Sequence, residues 1–211
     1  MSAAQLPGTA VRLLGADDPA TAPCDDLAVA RGHVEAALAG ADPAVVAEAE
    51  ATRKEVLAFV DAHPDALHRS CVEGHLTGSA MVVDPETRRF LFMLHAKVGR
   101  WLQPGGHADG DAALPGVALR EATEETGIAG LRVAAPAIDL DVHRFEAKGE
   151  VPHLHFDVRY LVVAPPGAVA EGNHESRGLR WAGVDDLAAL DLDVGTHRLA
   201  RNALAALSRL P

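Results

Sequence analysis

The sequence predicts an α/β fold of the α+β kind, with a mixed sheet and a helical extension in front of it. Three observations predict it. Residues 1–69 carry helix signals and no strand signal. From His75 onward, β-rich runs alternate with helical ones. Clusters of Gly, Pro and Asp separate those runs, as connections require. The expected division is a helical N-terminal extension over 1–69 and an α/β domain with a mixed sheet over 70–211.

Residues 1–24 are rich in Ala, Pro, Thr and Gly, lack periodicity, and read as a leader ordered only in part. Asp25-Asp26 then precede an alanine-rich apolar pattern that runs to Leu38, with Gly40 as its stop. Asp42-Pro43 opens a second helix that ends at His63-Pro64. Residues 76–83 and 89–95 read as strands joined by the turn Asp84-Pro85-Glu86-Thr87. A Gly/Asp/Pro loop follows over 103–114. Residues 115–126 read as a helix closed by Gly127. Strands are expected over 131–135, 138–145, 153–163 and 179–182, and helices over 185–190 and 196–210.

Charge and composition exclude several functions. The 211 residues carry 19 basic and 30 acidic side chains, a net charge of −11. Binding to long nucleic acid or an acidic membrane needs the opposite sign. No apolar run reaches the roughly 18 residues of a membrane span. Met1-Ser2-Ala3-Ala4-Gln5 is not a basic stretch leading into an apolar core, so no signal peptide is expected and a cytoplasmic location is. Two cysteines, Cys24 and Cys71, make neither a disulfide framework nor a zinc cluster.

The chemistry concentrates on the helix at 115–126. Glu121, Glu124 and Glu125 stand at i, i+3 and i+4, which places three carboxylates on one face. They repel one another and sit toward the negative end of the helix dipole. A solvated acidic face is one reading. A site for hard divalent cations, Mg²⁺ or Mn²⁺, is the other.

The residues upstream favour the second. Gly106, Arg120, Glu121, Ala122, Glu124, Glu125, Gly127 and Ile128 match, in order and spacing, the box of the Nudix (MutT-like) hydrolases, and the chain resembles that family over roughly residues 70–200. Trp101-Leu102-Gln103-Pro104-Gly105-Gly106-His107 resembles a bacterial branch of it, and Leu179-Arg180-Trp181 before Val184-Asp185-Asp186-Leu187 fits its final strand and helix. One position departs: Ala112 stands where the first glutamate of the box belongs. Asp109 or Asp111 would have to replace that carboxylate.

The resemblance implies an α/β/α sandwich and a metal-dependent hydrolase. Its substrate would be a nucleoside diphosphate linked to another moiety: a nucleotide-sugar, an ADP-ribose-like compound or a nucleoside triphosphate. By analogy Glu121, Glu124 and Glu125 hold metal, joined by Asp109 and Asp111. Glu121 or Glu124 acts directly in catalysis, and Arg120 orients a glutamate through a bidentate pair. Gly105 and Gly106 let the loop bend beside metal and phosphates. In parts of the family a late loop glutamate is the base, a position that Glu175 fits.

Other residues have candidate roles of their own. His153, His155 and Asp157 alternate on one strand face, and with His107 they suit a metal or a phosphate and sugar contact. Trp101 and Phe145 are candidates to stack on a base, and Arg144 and Arg159 to meet phosphate. Each also has an ordinary structural reading. The extension is expected to cap the site or to form a homodimer interface. Two alternatives stand beside hydrolysis. One is a Nudix module that binds a nucleotide without cleaving it, as Ala112 would favour. The other is an enzyme of the isopentenyl-diphosphate isomerase type, which places a cysteine in the loop that Gln103-Pro104 fill here.

Overall fold

The computed structural model of the protein describes residues 11–146 and 151–210. Residues 1–10 (the start of the expected leader), residues 147–150 and Pro211 lie outside them. Among the described residues no helix is long and apolar enough to cross a membrane.

The chain forms strands β1 (Arg12–Leu14), β2 (Gly74–Asp84), β3 (Arg89–His95), β4 (Trp101–Leu102), β5 (Gly105–His107), β6 (Arg132–Phe145), β7 (His153–Val163) and β8 (Ser176–Ala182). Helices α1 (Leu27–Ala36), α2 (Pro43–Ala62), α3 (Leu114–Thr126) and α4 (Val194–Leu207) complete it. Three of these helix starts have a side-chain cap. The Asp26, Asp42 and Asp193 side chains accept from the first-turn N–H groups of α1, α2 and α4. Gly127, at φ 66°, ends α3 in the left-handed conformation that suits glycine. Asp84 accepts from the Glu86 N–H at 2.9 Å and fixes the β2–β3 turn.

One mixed, eight-stranded sheet runs in the order β1-β6-β7-β2-β3-β4, with β5 on β2 and β8 on β3. The β2–β7 pair is parallel and the others are antiparallel. Helices cover both faces, which makes the expected sandwich. Ala30, Val34, Val56, Phe59 and Val60 of α1 and α2 share one core with Val117 and Ala118 of α3 and with Leu76, Leu140 and Phe156 of the sheet. The rings of Phe59 and Phe156 stack at 3.8 Å, tying α2 to β7. On the other face, Leu199, Ala200 and Ala203 of α4 pack on Met81, Phe90, Phe92 and Leu161.

Several local expectations change. The leader supplies β1, which adds an edge to β6 where Arg12 meets Ala135. Backbone pairing, which its composition does not announce, orders it. The two strands expected over 131–145 are one, β6, with its register against β7 shifting between Ala134 and Asp139. The helix expected over 185–190 is 3-10, Val184–Ala189. The glycine loop at 103–114 contains β5, because β3 leaves the β2 edge beyond Val82 and the glycine segment takes the vacated place at Thr77–Ser79.

Candidate active site

The sheet face toward α4 divides into two halves. In the β2–β7 register, His75 lies beside His155, Thr77 beside Asp157 and Ser79 beside Arg159. The next pair in phase, Met81 and Leu161, is apolar and lies under α4. The polar half floors a cavity of about 640 Å³, within the range of small-molecule sites. Its walls come from β5, α3, the start of α4 and the loop before β8.

At one end of the cavity stand carboxylates. Glu121 and Glu125 of α3 and Glu175 of the loop before β8 line it together. The Gly105 N–H donates to Glu125 Oε2 at 2.9 Å. A Cβ at position 106 would lie 2.6 Å from Glu121 Oε2, so glycine permits the close approach of strand and carboxylate. Glu125 is almost wholly buried. Burial is the main cause that pushes its carboxyl up to about 8, against the opposing Gly105 N–H; Glu121 and a hydrogen bond with Glu175 add to the rise. The Glu121 carboxyl is also raised, chiefly by burial, with Arg120 opposing.

The remaining residues of the box divide. Glu124 is exposed beside Glu121 and does not line the cavity. Arg120 reaches Asp111 Oδ2 at 3.3 Å and Glu121 Oε1 at 3.5 Å. Asp111 also accepts from the N–H groups of Cys24 and Ala113, which fixes the entry to α3. Asp109 forms a two-point pair with Arg69, at 2.7 and 2.6 Å. Ala112 is fully buried and its N–H donates to the Cys24 carbonyl at 2.6 Å. The place of the missing glutamate therefore belongs to the core, and the acid one residue earlier meets Arg120.

At the other end stand imidazoles. His75, His107, His153 and His155 bring one ring nitrogen each within 4.8 Å of all the others. Nε2 of His155 is 3.2 Å from Nε2 of His107 and 3.1 Å from Nε2 of His153. His75 is buried, and its ring nitrogens find no partner of good geometry, only a weak contact with the Cys71 backbone. Burial first, and then neighbouring positive groups, lower His75 and His107 to about 4 and His155 to about 2. These three are neutral at physiological pH. Phe145 stacks on His155 at 4.6 Å, and Trp101 packs with the apolar cluster under α4.

Between the two ends lies a charge network. Asp157 accepts from Thr77 Oγ1, Ser79 Oγ and Arg159 Nε, at 2.8, 2.8 and 2.7 Å. Arg159 is buried and also pairs with Asp139 and Asp141. Arg198 of α4 binds Asp139 twice and Asp141 once. Arg144 pairs with Glu146 at the exposed rim.

The structure thus brings together Gly105, Gly106, His107, Glu121, Glu125, His155, Asp157 and Glu175, all on the cavity lining, and sets His153 beside His155. It turns Asp109 and Asp111 to arginines. Sequence reasoning missed His75, Thr77, Ser79, Asp139 and Arg198. The signal for the first three was the alternation His75-x-Thr77-x-Ser79, which begins just before the strand expected over 76–83 and continues into it.

A family profile described as the NUDIX domain matches residues 75–203. The structure of an Ap4A hydrolase binary complex from C. elegans is similar, with TM-score 0.52 and 20% identity over 63% of this chain and 97% of that one. So is the NUDIX domain of Shewanella oneidensis NrtR complexed with ADP ribose, with TM-score 0.49 and 17% identity over 63% and 87%. A Nudix hydrolase from M. smegmatis, RenU, gives 0.45 and 19% over 65% and 89%. The likeness to the Ap4A hydrolase, at 20% identity, speaks for the fold alone. No curated protein sequence matches the chain.

Proposed function

This chain belongs to the NUDIX domain family, whose hydrolases act on phosphoric anhydride bonds, and on that premise we propose that it is a metal-dependent pyrophosphohydrolase of a nucleotide-type diphosphate. The observation that carries the reading is the convergence of Glu121, Glu125 and Glu175 on one cavity wall, against the Gly105-Gly106 backbone.

These residues fit a divalent cation. Two half-buried or buried carboxylates facing a third, with one arginine near them, are poorly compensated without one. Glu121 and Glu125 would hold it, with Glu124 at the outer side, and oxygen donors select Mg²⁺ or Mn²⁺. When bound, the ion neutralises the phosphates and makes a bound water more acidic.

The chain's own groups do the rest. Gly105 and Gly106 leave room for the phosphates beside the carboxylates. Arg120 is a positioning residue: it holds the Glu121 side chain from one side while Asp111 holds Arg120. Glu175, the exposed member, accepts the proton of the attacking water at its carboxylate. The water oxygen then bonds to phosphorus, the bridging P–O bond breaks, and the other phosphate leaves with the electron pair. Thr77, Ser79 and Arg159 fix Asp157 beneath the substrate.

A substrate panel tests the reading: Ap4A, ADP-ribose, nucleotide-sugars and nucleoside triphosphates with Mg²⁺ or Mn²⁺, with products identified by chromatography. Release of a phosphomonoester, lost in Glu125→Gln, is expected. Nucleotide binding without turnover across the panel would replace it with the non-catalytic module, the reading that Ala112 favours.

A further inference from the structure

We propose that His75, His107, His153 and His155 form a closed, four-imidazole site for one transition-metal dication of the zinc class, separate from the carboxylate site and structural in role. The inference does not depend on the hydrolase reading.

Geometry carries it. Four imidazole donors come from three strands, β2, β5 and β7, with one nitrogen of each within 4.8 Å of the others. Two nitrogen–nitrogen separations are 3.1 and 3.2 Å. Zinc–nitrogen bonds of 2.0–2.1 Å in a tetrahedron put the ligand nitrogens about 3.3 Å apart. His75 supplies a second sign: it is 3% exposed, and its contact with the Cys71 backbone falls short of good hydrogen-bond geometry. A buried polar group that is poorly partnered is unfavourable, and a metal bond removes that defect.

Ligand chemistry sets the class of ion. Imidazole suits Zn²⁺ and its transition-metal neighbours, while Mg²⁺ and Mn²⁺ prefer oxygen. Four protein ligands close a tetrahedral site and leave no open position for a substrate, which marks structural rather than catalytic metal. The position gives the role its content. His107 ends β5, directly after Gly105 and Gly106, so the ion would pin the glycine strand to β2 and β7 and hold its backbone under Glu125.

The test uses the full chain without a histidine tag. Metal analysis after purification and dialysis against a weak chelator should find about one zinc-class ion per chain. Reconstitution with Co²⁺ alone should give the intense visible absorption of a tetrahedral site, and the ion should raise the melting temperature. His75→Ala and His153→Ala should each weaken Co²⁺ binding by more than the roughly 10–100-fold that loss of a supporting group produces. Glu125→Gln should leave the Co²⁺ spectrum intact. Should His75→Ala fail to fold, the wild-type spectrum and His153→Ala, at a half-buried position, decide. An unmodified chain that holds no Co²⁺, a weak octahedral spectrum, or binding unchanged in His153→Ala would overturn the proposal. So would a spectrum that Glu125→Gln abolishes.

Discussion

The carboxylate end and the imidazole end of the cavity meet the same physical demand in opposite ways. Both are removed from water, and desolvation disfavours charge in each. Glu125 responds by holding its proton up to about pH 8. His75, His107 and His155 respond by refusing one down to about pH 4 or below. At neutral pH the Glu125 carboxyl and these three rings are therefore uncharged. The consequence for cations differs. The imidazoles already stand in the form that binds metal, whereas Glu125 must first lose a proton.

The largest expected effect breaks the acid end alone. Glu125→Gln should lower kcat on the order of 10²–10³-fold, the scale seen when a charge-organising group is removed from an active site. Its overall fold should persist, as a melting curve would show. Glu124→Gln comes next. Its exposed carboxylate stands outside the cavity lining, so the loss in Mn²⁺ affinity should be nearer 10-fold, roughly the scale of a supporting residue. An effect as large as that of Glu125→Gln would place Glu124 among the direct ligands.

The pH dependence of stability sharpens the comparison further. The raised Glu125 carboxyl contributes stability that is full below its ordinary carboxylate value and fades as pH rises through about 8. The lowered histidines contribute stability that is full above their ordinary value of 6.5 and fades as pH falls through about 4. Metal-free protein should thus lose melting temperature on both sides, from different ends of one cavity. Glu125→Gln should flatten only the alkaline limb in melts between pH 5 and 9. Binding of Mn²⁺ should release protons below about pH 8, measurable by calorimetry in buffers of different ionisation enthalpy. The smallest effect belongs to Arg144→Ala. Its pair with Glu146 is exposed on both sides, so stability should move by less than about 0.5 kcal/mol in denaturant titrations.

Much of this was legible in the sequence. Helices and strands came from the periodicity and the caps, because Asp42-Pro43 and Gly127 act through backbone geometry within a few residues. The spacing of Gly106, Arg120, Glu121 and Glu125 marked the acid end, since one turn of helix brings Glu121 and Glu125 to one face. The order of the leader was not legible: β1 exists only because β6 offers an edge. Nor was the inward turn of Ala112, which depends on the Cys24 carbonyl 88 positions earlier in the chain.

The sequence by itself determined the elements, the box and the family, all properties of near neighbours in the chain. Only the tertiary structure decided which polar groups meet. His75 stands 80 residues from His155, and only the parallel register of β2 and β7 sets them side by side. The departure of β3 from β2 made room for β5, which delivers His107 to one end of the cavity and the Gly105 N–H to the other. Register and edge exchange are collective choices of the whole sheet. No local run of residues encodes them, and the two ends of the cavity depend on both.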